Sequence, residues 1–128
     1  MPPKPRPVPT KAELEILQVL WRRGSATVRE VHEEMGRAMG YTTVLKFLQI
    51  MTEKGLVVRQ NKGRAHVYDS CISEKQGMAD FMKELIGRFF GGSASRLALQ
   101  ALGTGQASKR ELEEIRKLLE ELENKKVP

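Results

Sequence analysis

Thr42, Lys46, Gln49 and Glu53 follow one another at steps of four, three and four residues within "GYTTVLKFLQIMTEKGL". On an α-helix that spacing puts all four on one face. With Val44 set at zero and about 100° per residue, Leu48 and Met51 fall within about 40° of it, and Phe47 and Tyr41 lie about 60° to either side. The four polar residues fall between roughly 140° and 200°, opposite that apolar stripe, with Thr43 and Ile50 at the margin. A hydroxyl, an ammonium, an amide and a carboxylate in a row are not a nucleophile with its base. They are hydrogen-bonding groups of the kind that meet base edges and phosphates in the major groove, which admits one α-helix. Thr42, Thr43, Lys46 and Gln49 are the candidate base contacts. Small hydroxyl residues at the helix start let the backbone approach closely, and a carboxylate farther along could accept from cytosine.

The groups that could catalyse or ligate are few. His32 and His66 are the only histidines, and neither has metal-ligand spacing to the other or to Cys71. No Gly-rich phosphate loop of recognised spacing occurs. The sequence therefore points away from an enzyme, and no metal or cofactor is expected.

Capping boxes mark the elements that must position the row. "TKAE" at Thr10–Glu13 opens a helix to about Arg23, which Gly24 stops. "TVRE" at Thr27–Glu30 opens a short one to about Met35. The helix bearing the row, 41–54, ends at Gly55. "LVVRQNKGRAHVYDS" is rich in β-branched residues around Asn61-Lys62-Gly63, which signals a hairpin with its turn there. Three helices and a hairpin in this order predict a mainly α, winged helix-turn-helix over residues 10–71. Residues 72–128 read as helices. "SEKQ" at Ser73–Gln76 is a Gln version of the box, opening a helix with Phe81, Leu85, Phe89 and Phe90 on its apolar face. Gly91-Gly92 breaks it. A brief apolar helix containing Leu97 follows, and "SKRE" at Ser108–Glu111 caps a last helix striped with Leu112, Ile115, Leu119 and Leu122.

The chain of 128 residues carries a net charge of +6. Residues 1–70 hold 12 Lys and Arg against 7 Asp and Glu, whereas residues 71–128 hold 10 against 9. A basic first half suits a polyanionic partner, here double-stranded DNA. Phosphate contacts are expected from Thr27 and Arg29 at the start of the second helix and from Arg59, Lys62 and Arg64 around the hairpin turn. Lys4 and Arg6 of the Pro-rich arm, residues 1–9, complete the set. The single cysteine excludes an intrachain disulfide and fits a reducing cytoplasm. No apolar run reaches the ~20 residues of a membrane span.

"PTKAELEILQVLWRRGSATVREVHEEMG", "YTTVLKFLQIMTEKGLVVRQNKGRAHVY" and "RFFGGSASRLALQAL" together resemble the penicillinase-repressor (BlaI/MecI) family over roughly Thr10 to Leu122. The resemblance implies a homodimeric winged-helix repressor of palindromic operators, such as those of antibiotic-resistance (β-lactamase-type) or related stress genes. It also implies intertwined C-terminal helices and base contacts from Thr42, Thr43 and Lys46. In antibiotic-responsive members a membrane metalloprotease sensor cuts near the short helix after the Gly-Gly. The comparable bond here is Leu99-Gln100, but "LALQALGTG" lacks the Asn-Phe pair of the cleaved members. The cysteine-rich tail of copper-responsive relatives has no counterpart in "ENKKVP".

The apolar stripes argue for a dimer on their own account. A winged helix of this size has its own small core, and the Gly-separated segments after it need another surface to bury Phe81, Leu85, Phe89, Phe90, Leu97, Leu112, Ile115, Leu119 and Leu122. A second copy is the simplest one. Two alternatives stay open: a winged helix that binds protein without sequence-specific DNA binding, and a regulator responding to oxidation of Cys71.

Overall fold

The computed structural model describes residues 7–126. Helix α1 spans Lys11–Arg23, α2 Val28–Met35 and α3 Tyr41–Lys54, with a 3-10 turn at Gly36–Ala38 between the last two. Strands β1 (Val57–Lys62) and β2 (Ala65–Ser70) follow, and then α4 (Glu74–Phe89), α5 (Ala94–Gly103) and α6 (Lys109–Lys126). Contacts divide the chain into one compact unit ending at Leu85 and a second starting at Ile86. The division falls inside α4 rather than at the expected 71/72 junction.

Helices α1, α2 and α6 begin with reciprocal capping boxes. Thr10 with Glu13, Thr27 with Glu30, and Ser108 with Glu111 each exchange side chain and backbone N–H. Each box satisfies two N–H groups that a helix start otherwise leaves orphaned. At α4 only half of the expected box forms. Ser73 Oγ accepts from the Gln76 N–H at 3.1 Å, but the Gln76 amide turns along the helix and donates to Asp80 Oδ1 at 2.8 Å. An amide donor finds a better acceptor in that carboxylate one turn on.

The core of the first unit is aliphatic. Ile16, Leu17 and Leu20 of α1, Val31 of α2, Val44, Leu48 and Met51 of α3, and Leu56 before β1 are all sealed from solvent. Each large aliphatic side chain so buried contributes about 1.5–3 kcal/mol. β1 and β2 pair antiparallel, with Val57 opposite Ser70 and Lys62 opposite Ala65. The connecting turn is therefore Gly63-Arg64, one step later than the sequence suggests, and Asn61 and Lys62 belong to β1. Gly63 has φ +63° and Arg64 has a negative φ, the pattern of a two-residue hairpin turn opened by Gly. A third chain segment joins the sheet: the Ala26 N–H donates to Tyr68 O at 3.0 Å and the Tyr68 N–H to Ala26 O at 2.8 Å. This bridge ties the hairpin to the α1–α2 connection. Three helices closed by a hairpin in this way form a winged helix-turn-helix.

Trp21 joins α4 to that unit. Its Nε1–H lies 3.1 Å from Ser70 Oγ and 3.0 Å from Ile72 O, so one donor serves two acceptors. The ring lies over Gly77, where an added Cβ would stand 2.7 Å from Trp21 Cη2 and 2.8 Å from Cζ2. Gly in mid-helix is otherwise about 1 kcal/mol worse than Ala, so close packing explains it here. Gly77→Ala is expected to lower stability by about 1–3 kcal/mol in chemical denaturation. A gain, as for an unobstructed helical glycine, would show that the indole does not press on α4.

Candidate nucleic-acid interface

Helix α3 is rotationally fixed by its buried stripe, Val44, Leu48 and Met51. Thr42, Thr43, Lys46, Gln49 and Glu53 are all exposed on its other side. At its C-terminus Gly55 takes φ +83° and donates its N–H back into the last turn, a left-handed conformation open to glycine without strain. At its N-terminus Gly40 provides no side-chain cap, unlike the starts of α1 and α2. The first-turn N–H groups beside Thr42 and Thr43 thus lack a side-chain partner there, and the positive end of the helix dipole meets solvent.

A half-buried ion pair anchors the far end. Glu13, 2% exposed, accepts from the Lys54 Nζ at 2.7 and 3.0 Å and from the Thr10 N–H at 2.9 Å. One carboxylate therefore completes the α1 capping box and holds the last turn of α3. The sequence shows Glu13 as a cap, but its second role depends on a residue 41 positions away. A second, exposed charge cluster joins α1 to α2: Arg23 pairs with Glu30 and Glu34, and Arg22 with Glu34. The Thr27 backbone N–H, then its hydroxyl, hold the Glu30 carboxyl below the usual carboxylate range, and Arg23 adds to this.

What reads as one polar row in the sequence borders different grooves in space. Gln49 turns toward the hairpin. With Thr27, Arg29, Tyr41, Arg59 and His66 it lines a cleft of about 350 Å³ between α2, α3 and the sheet. With Glu53, Thr52, Val58 and Arg59 it lines a second cleft of about 510 Å³. Thr42, Thr43 and Lys46 lie on the opposite flank, where Phe47 and Ile50 complete a groove of about 380 Å³. The structure thus brings the candidate phosphate contacts Thr27, Arg29 and Arg59 together with Gln49. Lys62 and Arg64 are exposed at and beside the turn, outside these clefts. Lys4 and Arg6 lie outside the described residues. Thr27 is also the α2 cap, its Oγ1 accepting from the Glu30 N–H at 3.1 Å.

Two members of this surface, His66 and Tyr41, are not among the contacts expected from the sequence. His66 faces the cleft from β2, its Nδ1 2.6 Å from Asn61 Oδ1 across the strands. Tyr41, half-exposed, stands edge-on to the His32 ring, with centroids 5.9 Å apart. Strand register could have placed His66 had the turn been located correctly. Nothing in spacing alone pairs His32 with Tyr41. Cys71 is exposed, with its N–H donating to Leu56 O at 2.8 Å.

The family model described as penicillinase repressor matches residues 9–121. The chain belongs to the penicillinase repressor family. Such proteins are transcriptional repressors, not enzymes. The penicillinase repressor of Bacillus licheniformis is 29% identical over 117 residues, covering 90% of this chain and 91% of its own. A Mycobacterium tuberculosis protein named transcriptional regulator BlaI is 32% identical over 114 residues, covering 87% of this chain and 82% of its own. In architecture the chain is also similar to a MarR family protein from Bacillus stearothermophilus, with a TM-score of 0.51 at 19% identity, over 93% of this chain and 76% of that one. For this penicillinase-repressor family member, then, α3 and the hairpin form the surface of interest, and Glu13–Lys54 fixes its scaffold.

Lys54→Met leaves the Glu13 carboxylate buried without its cation and is expected to destabilise the fold by about 2–4 kcal/mol in chemical denaturation. The double variant with Glu13→Gln should recover part of that loss. Additive losses would show that the two side chains do not depend on each other.

Proposed function

We propose that this chain is a homodimeric transcriptional repressor of palindromic operator DNA. In this reading α3 (Tyr41–Lys54) enters the major groove. Thr42, Thr43, Lys46 and Gln49 meet base edges, and Thr27, Arg29, Arg59, Lys62 and Arg64 hold the phosphates. The observation that carries it is the exposure of all four α3 residues outside the buried stripe, with Gln49 bordering the cationic hairpin, in a chain of this family. The uncapped start of α3 suits close approach to an anionic backbone. The Lys4 and Arg6 arm would add phosphate contacts. The reading extends to antibiotic-resistance (β-lactamase-type) or related stress genes as targets, and the similarity to a protein named penicillinase repressor supports the first of these.

The second unit supports the dimer. On α6, Leu112, Leu119 and Leu122 are 37%, 52% and 45% exposed, and Phe89 at the end of α4 is 71% exposed. Ile115, Leu97 and Phe90 are half-buried within that unit. Phe81 and Leu85 are also half-buried, but they belong to the first unit. An aliphatic stripe left this open is an interface lacking its other half. A twofold dimer would set two α3 helices ~34 Å apart, or a multiple of it. Control by a membrane metalloprotease at Leu99-Gln100 fits the chain poorly. Leu99 is 72% exposed within the capped helix α5, but the bond lacks the Asn-Phe pair of the cleaved members.

Lys46→Ala should weaken operator binding more than binding to random duplex. Lys62→Ala should weaken both alike and reduce the salt slope by about one. A titration in which the two variants behave identically would remove Lys46 from the base contacts. Leu119→Glu should convert the dimer to monomer in sedimentation at micromolar protein. An unchanged sedimentation coefficient would refute α6 as the interface.

A further inference from the structure

The flank of α3 opposite the hairpin clefts carries more apolar surface than the core explains. Thr43, Phe47 and Ile50 succeed one another at i, i+4 and i+7, and with Thr42 and Lys46 they line the groove of about 380 Å³. Ile50 is 38% exposed, Phe47 is half-buried, and the sealed stripe is made by Val44, Leu48 and Met51 instead. An isoleucine held in water beside a lysine on a DNA-facing helix contributes little to folding.

Two of the walls, Thr42 and Lys46, belong to the ridge that the proposed reading places on base edges. The apolar strip is continuous with that ridge and enters the groove with it. The major groove displays one apolar group, the 5-methyl of thymine. We propose that Ile50, with the Thr43 methyl and Phe47, seats a thymine 5-methyl group, so that Ile50 is a specificity-determining residue of the operator contact. This rests on α3 entering the major groove. Cytosine presents no methyl at that position and adds an amino donor, for which an aliphatic surface has no acceptor, so the strip selects thymine over cytosine. The Lys46 ammonium at the rim is long enough to meet a neighbouring guanine or phosphate while the strip holds the methyl.

Replacing thymine by deoxyuridine removes the methyl and nothing else, so it reports on this contact alone. The full-length chain is first used to enrich duplexes from a random-sequence pool. The tightest duplex is then remade with each thymine in turn replaced by deoxyuridine. The wild-type chain is expected to lose about three- to fivefold in affinity at one thymine in each half of the site, the value of one buried methyl-sized group. Ile50→Ser should lose a similar factor on the thymine duplex and show no further loss on the deoxyuridine one. Ile50→Val should lie between. Thermal melts of both variants check the fold, which an exposed position leaves intact. The proposal is overturned if every deoxyuridine duplex binds the wild type as tightly as thymine, or if Ile50→Ser keeps the full deoxyuridine penalty. It is also overturned if Ile50→Ser leaves operator affinity unchanged. Failure to enrich any duplex would instead sink the operator reading itself.

Discussion

The rotational setting of α3 is the constraint on which the candidate interface depends. Val44, Leu48 and Met51 are sealed in the core that α1, α2 and the start of β1 complete, and turning the helix by one residue would bring Gln49 and Thr52 toward it. At about 1.5–3 kcal/mol for each aliphatic side chain, the stripe outweighs any preference of the outer residues for one orientation. The outer residues are thus free to be selected for what they touch. The Glu13–Lys54 pair supplements this at the end of the helix. A buried carboxylate with its cation and a backbone N–H defines one position along the α1 axis for the last turn of α3. Such a pair specifies geometry more reliably than it adds stability.

The hairpin depends on a different device. Two strands alone are marginal in water. Here the Ala26–Tyr68 bridge adds a third segment, and Tyr68 is buried in the core, so the base of the hairpin is tied to the start of α2. That tie brings Arg59 and His66 to the same cleft as Thr27 and Arg29. Its tip, with Gly63 and Arg64, extends beyond these packed contacts, where a long cation can meet a phosphate without a fixed orientation.

The helices from Ile86 onward follow another balance. Their caps are well made, as at Ser93 and at Ser108 with Glu111, and α6 carries i,i+4 and i,i+3 ion pairs on its surface. Capping and exposed ion pairs give each helix a start and solubility, but no core. The leucines of α6 remain open in the single chain. Under the proposed dimer, that open surface is what the second copy would cover.

The sequence by itself determined the elements, because their signals are local. Thr10, Thr27 and Ser108 each specify a helix start with a partner three residues on, and Gly24 and Gly55 close helices in conformations that glycine adopts freely. The outward turn of Thr42 and Lys46 was equally legible, because a 3.6-residue period converts spacing directly into direction. Only the tertiary structure decided which outer residues share a groove. Gln49 and Thr43 lie in the same short stretch, yet one borders the hairpin and the other Ile50, since the hairpin occupies one flank of α3. The junctions Glu13–Lys54, Trp21–Gly77 and Ala26–Tyr68 were equally hidden. Each joins residues more than 40 positions apart, and no local period or cap reports on a contact made by packing.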